Sequence, residues 1–546
     1  MNTQSDQGGH INLAEQRERN YLKGAAILSG SIIASKIIGA LFKIPLFNII
    51  GKAGSSTFHQ TYQIFTLLLT ISYAGIPVAL SRLISVSLEK GNTRQAKKYF
   101  KVAMPAFAFI GAVASICMFV FAPQFALFIE NPLTEMGIRV LSPAVFLCCV
   151  ISVYEGWAQG HGDMVPTAIK QLVEVISKLV IGMGVAWVLV RRGATTENAS
   201  AGAITGVVIG LVLALPTLMY YKKHKFRHTA LSGDAMRSKD TLVSVVKVSI
   251  PIALGASFMN ILSIIDSKVV MMRLMDGIGL SSDAALAQFG LYSNSAPLFN
   301  LLPALISSIT VSVIPVISAF TGTNRHIDAR MTTESAIKMM SLIAMPAAIG
   351  MAVLAKPIYG ALYDSQEGAQ LLMILGIASF FACAQLMTTA ILQANGRERV
   401  PIVSFVIGGI VQIVCDWILV GTPAIGIIGS PIGTLACYVT ITLINLAVII
   451  AKVPSPPRIL RSAGKPAIAA AVMGVAAASI YGLSQHFLAG RLGTGRYADI
   501  VYTGIAVVVA VIVYFAIVIA SHTLTREDMK LLPKGDKLAK LLRVRD

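Results

Sequence analysis

The chain has 546 residues, of which 55% are hydrophobic and 13% charged, and its mean hydropathy is +0.73. These values exclude a soluble protein of several domains and imply a polytopic membrane protein. The net charge of +19 does not point to nucleic acid, because the cations sit in short connections and tails between apolar spans, where a membrane protein sets them against anionic lipid.

The first twenty residues are polar, with no apolar core and no small-residue cleavage site, so residues 1–23 are expected to be a cytoplasmic tail rather than a removed signal. Apolar windows of about twenty residues then predict spans at 24–47, 62–87, 103–122, 138–158, 167–190 and 201–221. A polar linker at 223–243 follows, then spans at 244–272, 287–319, 336–356, 369–393, 401–421 and 425–451, and two more at 466–488 and 498–521. The expected fold class is therefore all-α, with about fourteen transmembrane helices. The expected divisions are a first lobe at 24–222, a second at 244–452, an appended helix pair at 453–521 and a basic cytoplasmic tail at 522–546. Connections after the even-numbered spans hold roughly 19 Lys and Arg and those after the odd-numbered spans about six, which places both termini in the cytoplasm.

An internal repeat divides the chain. Gly75-Ile76-Pro77-Val78 answers Val313-Ile314-Pro315-Val316, and Met104-Pro105 answers Met345-Pro346. Gln159 to Pro166 answers Gln393 to Pro401, and the glycines Gly202, Gly206 and Gly210 answer Gly426, Gly429 and Gly433. Six spans per half in the same orientation imply two parallel six-helix lobes, an arrangement in which transporters hold substrate between lobes that rock against each other. The spaced glycines read as close helix packing. Gly39, Pro77 and Pro315 read as hinge positions, with simple kinks as the alternative for the prolines.

Cations at membrane depth need a wet or protein-lined environment, since burying a lone one costs at least about 2.5 kcal/mol. Lys36 and Lys43 in the first span share a helix face on either side of Gly39, and Arg82 lies in the second span. Lys268 and Arg273 lie in the seventh. These five are the candidate substrate-binding cations, converging on an anion held between the lobes. For Lys36, Lys43 and Arg82 the alternative is a side chain that snorkels to an interface. Glu174 and Lys178 can pair at i, i+4, and Asp266 shares a face with Arg273. Glu155, Glu174, Lys178, Asp266 and Asp416 are candidates for ion coupling or for structural hydrogen bonding. The six cysteines fall in apolar segments without C-x-x-C spacing and imply neither disulfide nor metal. With no phosphate-binding loop, no dinucleotide fingerprint and no acidic pair, neither a cofactor nor a catalytic residue is expected. The remaining alternatives are a secondary transporter, a membrane-embedded enzyme and a scaffold, of which the buried cations favour the first.

The runs SKIIGALFKIPLFNIIGKAG, GIPVALSRLIS and QGHGDMVPTAIKQLVEVISKLV resemble the polysaccharide-transporter branch of the multidrug/oligosaccharidyl-lipid/polysaccharide (MOP) exporter superfamily. Within it, the likeness is to the stage V sporulation protein B and YtgP group, which overlaps in function with the MurJ lipid II flippases. The resemblance implies a V-shaped pair of lobes around a cationic cavity and alternating access. It implies an undecaprenyl-diphosphate-linked saccharide as substrate, a lipid-tail groove formed by the last two spans, and a plasma-membrane monomer that could associate with cell-wall synthesis enzymes. MurJ-like proteins carry cations in the first span, similar in placement to Lys36 and Lys43. Here both are Lys, which binds a diphosphate as a point charge without the bidentate fork of Arg. A capsule or exopolysaccharide repeat unit is the alternative substrate, and multidrug export the alternative function.

Overall fold

The structure is a computed structural model describing residues 5–73, 75–225, 232–493 and 495–521. Inside its helices the side chains of 5–29, 32, 33, 36, 37, 40, 41, 225, 254–256, 259, 308, 311, 312, 315 and 489–492 lie outside the description. The described residues form seventeen α-helices and no strand. The first unit, Met1–Lys268, contains α1 (Ser5–Tyr73), α2 (Gly75–Glu89), α3 (Thr93–Val120), α4 (Ala122–Phe128), α5 (Glu135–Gly160), α6 (Val165–Ser177), α7 (Met183–Arg191), α8 (Thr196–Lys225) and most of α9 (Ser238–Met272). The second unit, Val269–Asp546, contains α10 (Ser282–Gly322), α11 (His326–Val353), α12 (Ala355–Tyr363), α13 (Ala369–Ala394), α14 (Arg399–Val420), α15 (Gly429–Lys452), α16 (Ile459–Leu492) and α17 (Arg496–Ala520). Eleven helices among the described residues are long and apolar enough to cross a membrane. That count omits the start of α1 and all of α9 and α10, so fourteen spans remains an expectation.

Boundaries move where polar residues are helical after all. The expected spans 24–47 and 62–87 leave 48–61 between them, yet α1 runs through that stretch and is interrupted only at Gly51, whose φ of 71° turns the chain. The polar residues stay in the helix because Ser55, Thr57 and Thr61 hydrogen-bond the carbonyls of Gly51, Ala53 and Thr57. Gln60 accepts from the Asn131 amide at 2.6 Å, and Ser200 of α8 donates to the Gly54 carbonyl at 3.0 Å. A buried hydroxyl or amide with such a partner avoids the cost of desolvation.

The repeat is visible in the turns. After α5, Gly162 takes a φ of 78°, and the Asp163 N–H reaches the Ala158 carbonyl at 2.9 Å. After α13, Gly396 takes a φ of 70°, and the Arg397 N–H reaches the Leu392 carbonyl at 2.9 Å. Both are helix ends closed by a left-handed residue, which glycine adopts without strain, and Pro166 and Pro401 open the helices that follow. The spaced glycines also pack as expected. A Cβ on Gly206 would fall 2.7 Å from the Gly182 nitrogen, and one on Gly429 2.7 Å from the Val420 nitrogen. Such positions accept only a hydrogen where backbones meet.

Candidate functional site

The first unit buries a row of charges on one face of α6. Lys170, Glu174 and Lys178 recur every four residues and rise through about 12 Å of helix. Glu174 accepts from both lysines, from Lys170 at 3.2 Å and from Lys178 at 2.6 Å. Lys178 also donates to the Tyr62 hydroxyl at 3.0 Å, and Lys170 lies 5.6 Å from the Tyr73 ring centroid. The Tyr73 hydroxyl donates to one oxygen of Glu155. The other Glu155 oxygen has no hydrogen-bond partner among the described residues, and the side chain is 1% exposed. Glu174 is thus the carboxylate that both lysines share. The helix opens into a π-helical turn, Lys178–Gly182, and a Cβ on Gly182 would fall 2.5 Å from the Ala203 carbonyl oxygen. Such insertions mark sites where a helix trades regularity for placement.

Lys170 is the member that the sequence reading passed over. It sits one turn into α6, beside a polar turn where a lysine has an interfacial reading. The signal that would have found it is the Lys-x3-Glu-x3-Lys spacing, which places three charges in one row.

The candidate cations are dispersed. Lys36 lies on α1, but its side chain is outside the description. Lys43 is half-buried on the same helix, within electrostatic reach of His59. Arg82 is exposed on α2, seven residues before the helix ends, and forms no ion pair among the described residues. Lys268 stands 4.2 Å from the Phe128 ring centroid. In the second unit, the Arg273 Nε donates to the Trp417 carbonyl at 2.9 Å, and the guanidinium lies 4.8 Å from the Trp417 ring centroid. It fills the space where a Gly421 side chain would begin, so it closes the C-terminal end of α14, where free carbonyls attract a cation.

Among the remaining carboxylates, Asp266 is 7% exposed and Asp416 fully buried, the latter against Gly433. Gly39 faces Val175 of α6 at 3.9 Å. Pro77 is the third residue of α2, where its missing N–H costs nothing because early helical N–H groups have no intrahelical partner. Pro315 lies within the continuous helix α10, its side chain outside the description.

Comparison with known proteins places these features. The family model for polysaccharide biosynthesis proteins matches residues 21–321. The chain belongs to this family. A second model, MatE, matches residues 251–418, and both lie within the MOP superfamily. Three relatives come from Bacillus subtilis (strain 168). The uncharacterized membrane protein YabM is 25% identical and covers 96% of this chain and 97% of its own. Stage V sporulation protein B is 23% identical, covering 79% and 84%, and lipid II flippase MurJ is 24% identical, covering 72% and 76%. Among solved structures, the inward closed conformation of lipid II flippase MurJ superposes with a TM-score of 0.65 over 90% of this chain and 99% of that one, at 14% identity. An inward-facing MATE family transporter gives 0.61 over 78% and 98%, at 16% identity. The protein is thus a multi-pass membrane transporter with a MurJ-like fold, related to proteins that are transporters and flippases rather than enzymes.

Proposed function

We propose that this transporter moves an undecaprenyl-diphosphate-linked cell-wall precursor, lipid II, from the inner to the outer leaflet of the plasma membrane by alternating access. Both termini are cytoplasmic in this reading. Lobes 24–222 and 244–452 rock about the substrate, and 453–521 holds its lipid tail. The observation that carries the reading is Arg82, an exposed cation within a membrane helix that no carboxylate among the described residues neutralises. A cation so placed is stabilised by an anionic ligand or by water. Lys36, Lys43 and Lys268 extend the same anion-binding role, and the relative named as a lipid II flippase supports the choice of substrate.

The membrane potential supplies the drive, because outward movement of an anion down an inside-negative potential gains roughly 2.3 kcal/mol per charge per 100 mV. Collapsing the potential at constant pH gradient is expected to stop transport, and collapsing the pH gradient alone to leave most of it.

The decisive experiment is depletion in the native host while lipid-linked precursors are followed. Lipid II is expected to accumulate, and Arg82→Ala at normal abundance should fail to rescue. Accumulation of a capsule repeat unit instead would move the substrate within the same class. The MatE match over 251–418 supports a second reading, multidrug or cation antiport, which requires unchanged precursor levels and altered drug susceptibility on depletion.

A further inference from the structure

Three lysines meet on the first unit away from the α6 charge row. Lys97 and Lys101 are exposed, one turn apart in the first three turns of α3, and between them Phe100 turns inward. Lys222, three residues before the end of α8, lays its ammonium 2.9 Å from the centroid of the Phe100 ring. Tyr154 and Trp157 of α5 close the wall, with ring centroids 5.6 and 5.4 Å from the same nitrogen. Phe100 packs edge-on against both, at 5.3 and 5.5 Å.

The charge on Lys222 is opposed rather than offset. The charged neighbours acting on it are Lys97 and Lys101, and none of the three forms an ion pair among the described residues. Three ammoniums drawn together without a carboxylate repel one another, and the rings relieve only one of them by cation–π attraction. An anion with several oxygens turns that repulsion into attraction, and lysine serves phosphate well as a point charge. The depth agrees, since Trp and Tyr favour the headgroup level of a bilayer and the lysines stand near the ends of membrane-crossing helices.

We infer that Lys97, Lys101 and Lys222 form a binding site for the phosphate of an anionic phospholipid, drawn from the leaflet that borders this end of the first unit. The site rests on the membrane assignment of α3 and α8, and it stands whether or not the transported substrate is lipid II.

Native mass spectrometry of the full-length chain in neutral detergent, with thermal unfolding alongside, tests the inference. Phosphatidylglycerol is expected to bind as a discrete lipid and to raise the unfolding temperature. Phosphatidylcholine and inorganic pyrophosphate should do neither. Each lysine removed should weaken that lipid about fivefold, so Lys97→Gln/Lys101→Gln/Lys222→Gln weakens it about a hundredfold. Lys90→Gln/Arg94→Gln/Lys223→Gln, with the same charge loss on neighbouring residues, should leave it unchanged. The double variant Lys97→Gln/Lys101→Gln alters only exposed side chains, so an intermediate loss of about 25-fold is expected from it even if the triple variant folds poorly. Equal losses in the lysine triple and its control, or equally tight phosphatidylcholine, would overturn the site. Displacement of the lipid by pyrophosphate would overturn the lipid as its occupant.

Discussion

The two units bury different kinds of polar group on a repeated framework. In the first, charges line one face of α6, with Glu174 shared between Lys170 and Lys178 and with Glu155 held by Tyr73. In the second, Asp416 is buried against Gly433, and the other buried polar contacts among α13, α14 and α15 are made by amides and hydroxyls. Asn445 of α15 accepts from Ser404 at 2.8 Å and donates to Thr388 and Thr389 at 3.2 and 3.3 Å, while Gln385 donates to Thr389 at 3.0 Å. Amides and hydroxyls there tie α13, α14 and α15 together. The helix ends and glycine contacts repeat between the halves, and the buried chemistry does not. A duplicated membrane fold can thus keep the backbone geometry that satisfies its hydrogen bonds while one half adds a row of paired charges.

That contrast can be broken most sharply at Glu174. Glu174→Gln leaves two buried ammoniums facing a neutral amide, and removing one member of a buried ionic group typically costs about 3–5 kcal/mol. A large fall in unfolding temperature and loss of transport are expected in purified protein, whereas stability at the wild-type level would show the row to be solvated. In the second unit, Asn445→Ala removes three side-chain hydrogen bonds but strands no charge, and Ser404, Thr388 and Thr389 each keep another partner. About 1–3 kcal/mol is expected from unfolding measurements, less than at Glu174, and an equal or larger loss would erase the distinction. Gly433→Ala would place a Cβ 2.2 Å from an Asp416 oxygen, so the buried Asp416 side chain must shift, and overpacking of this kind costs about 1–3 kcal/mol. Gly464→Ala, with nothing within 4 Å of the new carbon, provides the control and should be silent. The smallest effect is expected at Glu155. Glu155→Gln keeps an acceptor for the Tyr73 hydroxyl and removes only the ability to titrate, so stability should change by less than about 1 kcal/mol and potential-driven transport should persist. Loss of transport at normal abundance would replace that drive with proton coupling through Glu155.

Much of the framework was legible in the chain itself. Apolar windows placed α13 at 369–393 against Ala369–Ala394 and α14 at 401–421 against Arg399–Val420, because a bilayer demands long apolar helices and leaves few other solutions. The repeated Gln-to-Pro turns and spaced glycines were legible too, since left-handed turns and close helix approaches require particular residues. The gap left at 48–61 proved helical because composition cannot tell a solvated hydroxyl from one bonded to the carbonyl four residues back.

The chemistry of the interior was another matter. The sequence offered Glu174 and Lys178 as a pair, and only the packing of α6 against α1 and α5 added Lys170, Tyr62, Tyr73 and Glu155. It likewise offered Arg273 as a candidate cavity cation, whereas the folded chain sets its guanidinium on the end of α14. Local spacing determines which side chains share a helix face. Which partner a buried charge meets depends on side chains more than a hundred residues distant, and that is decided only when the helices pack.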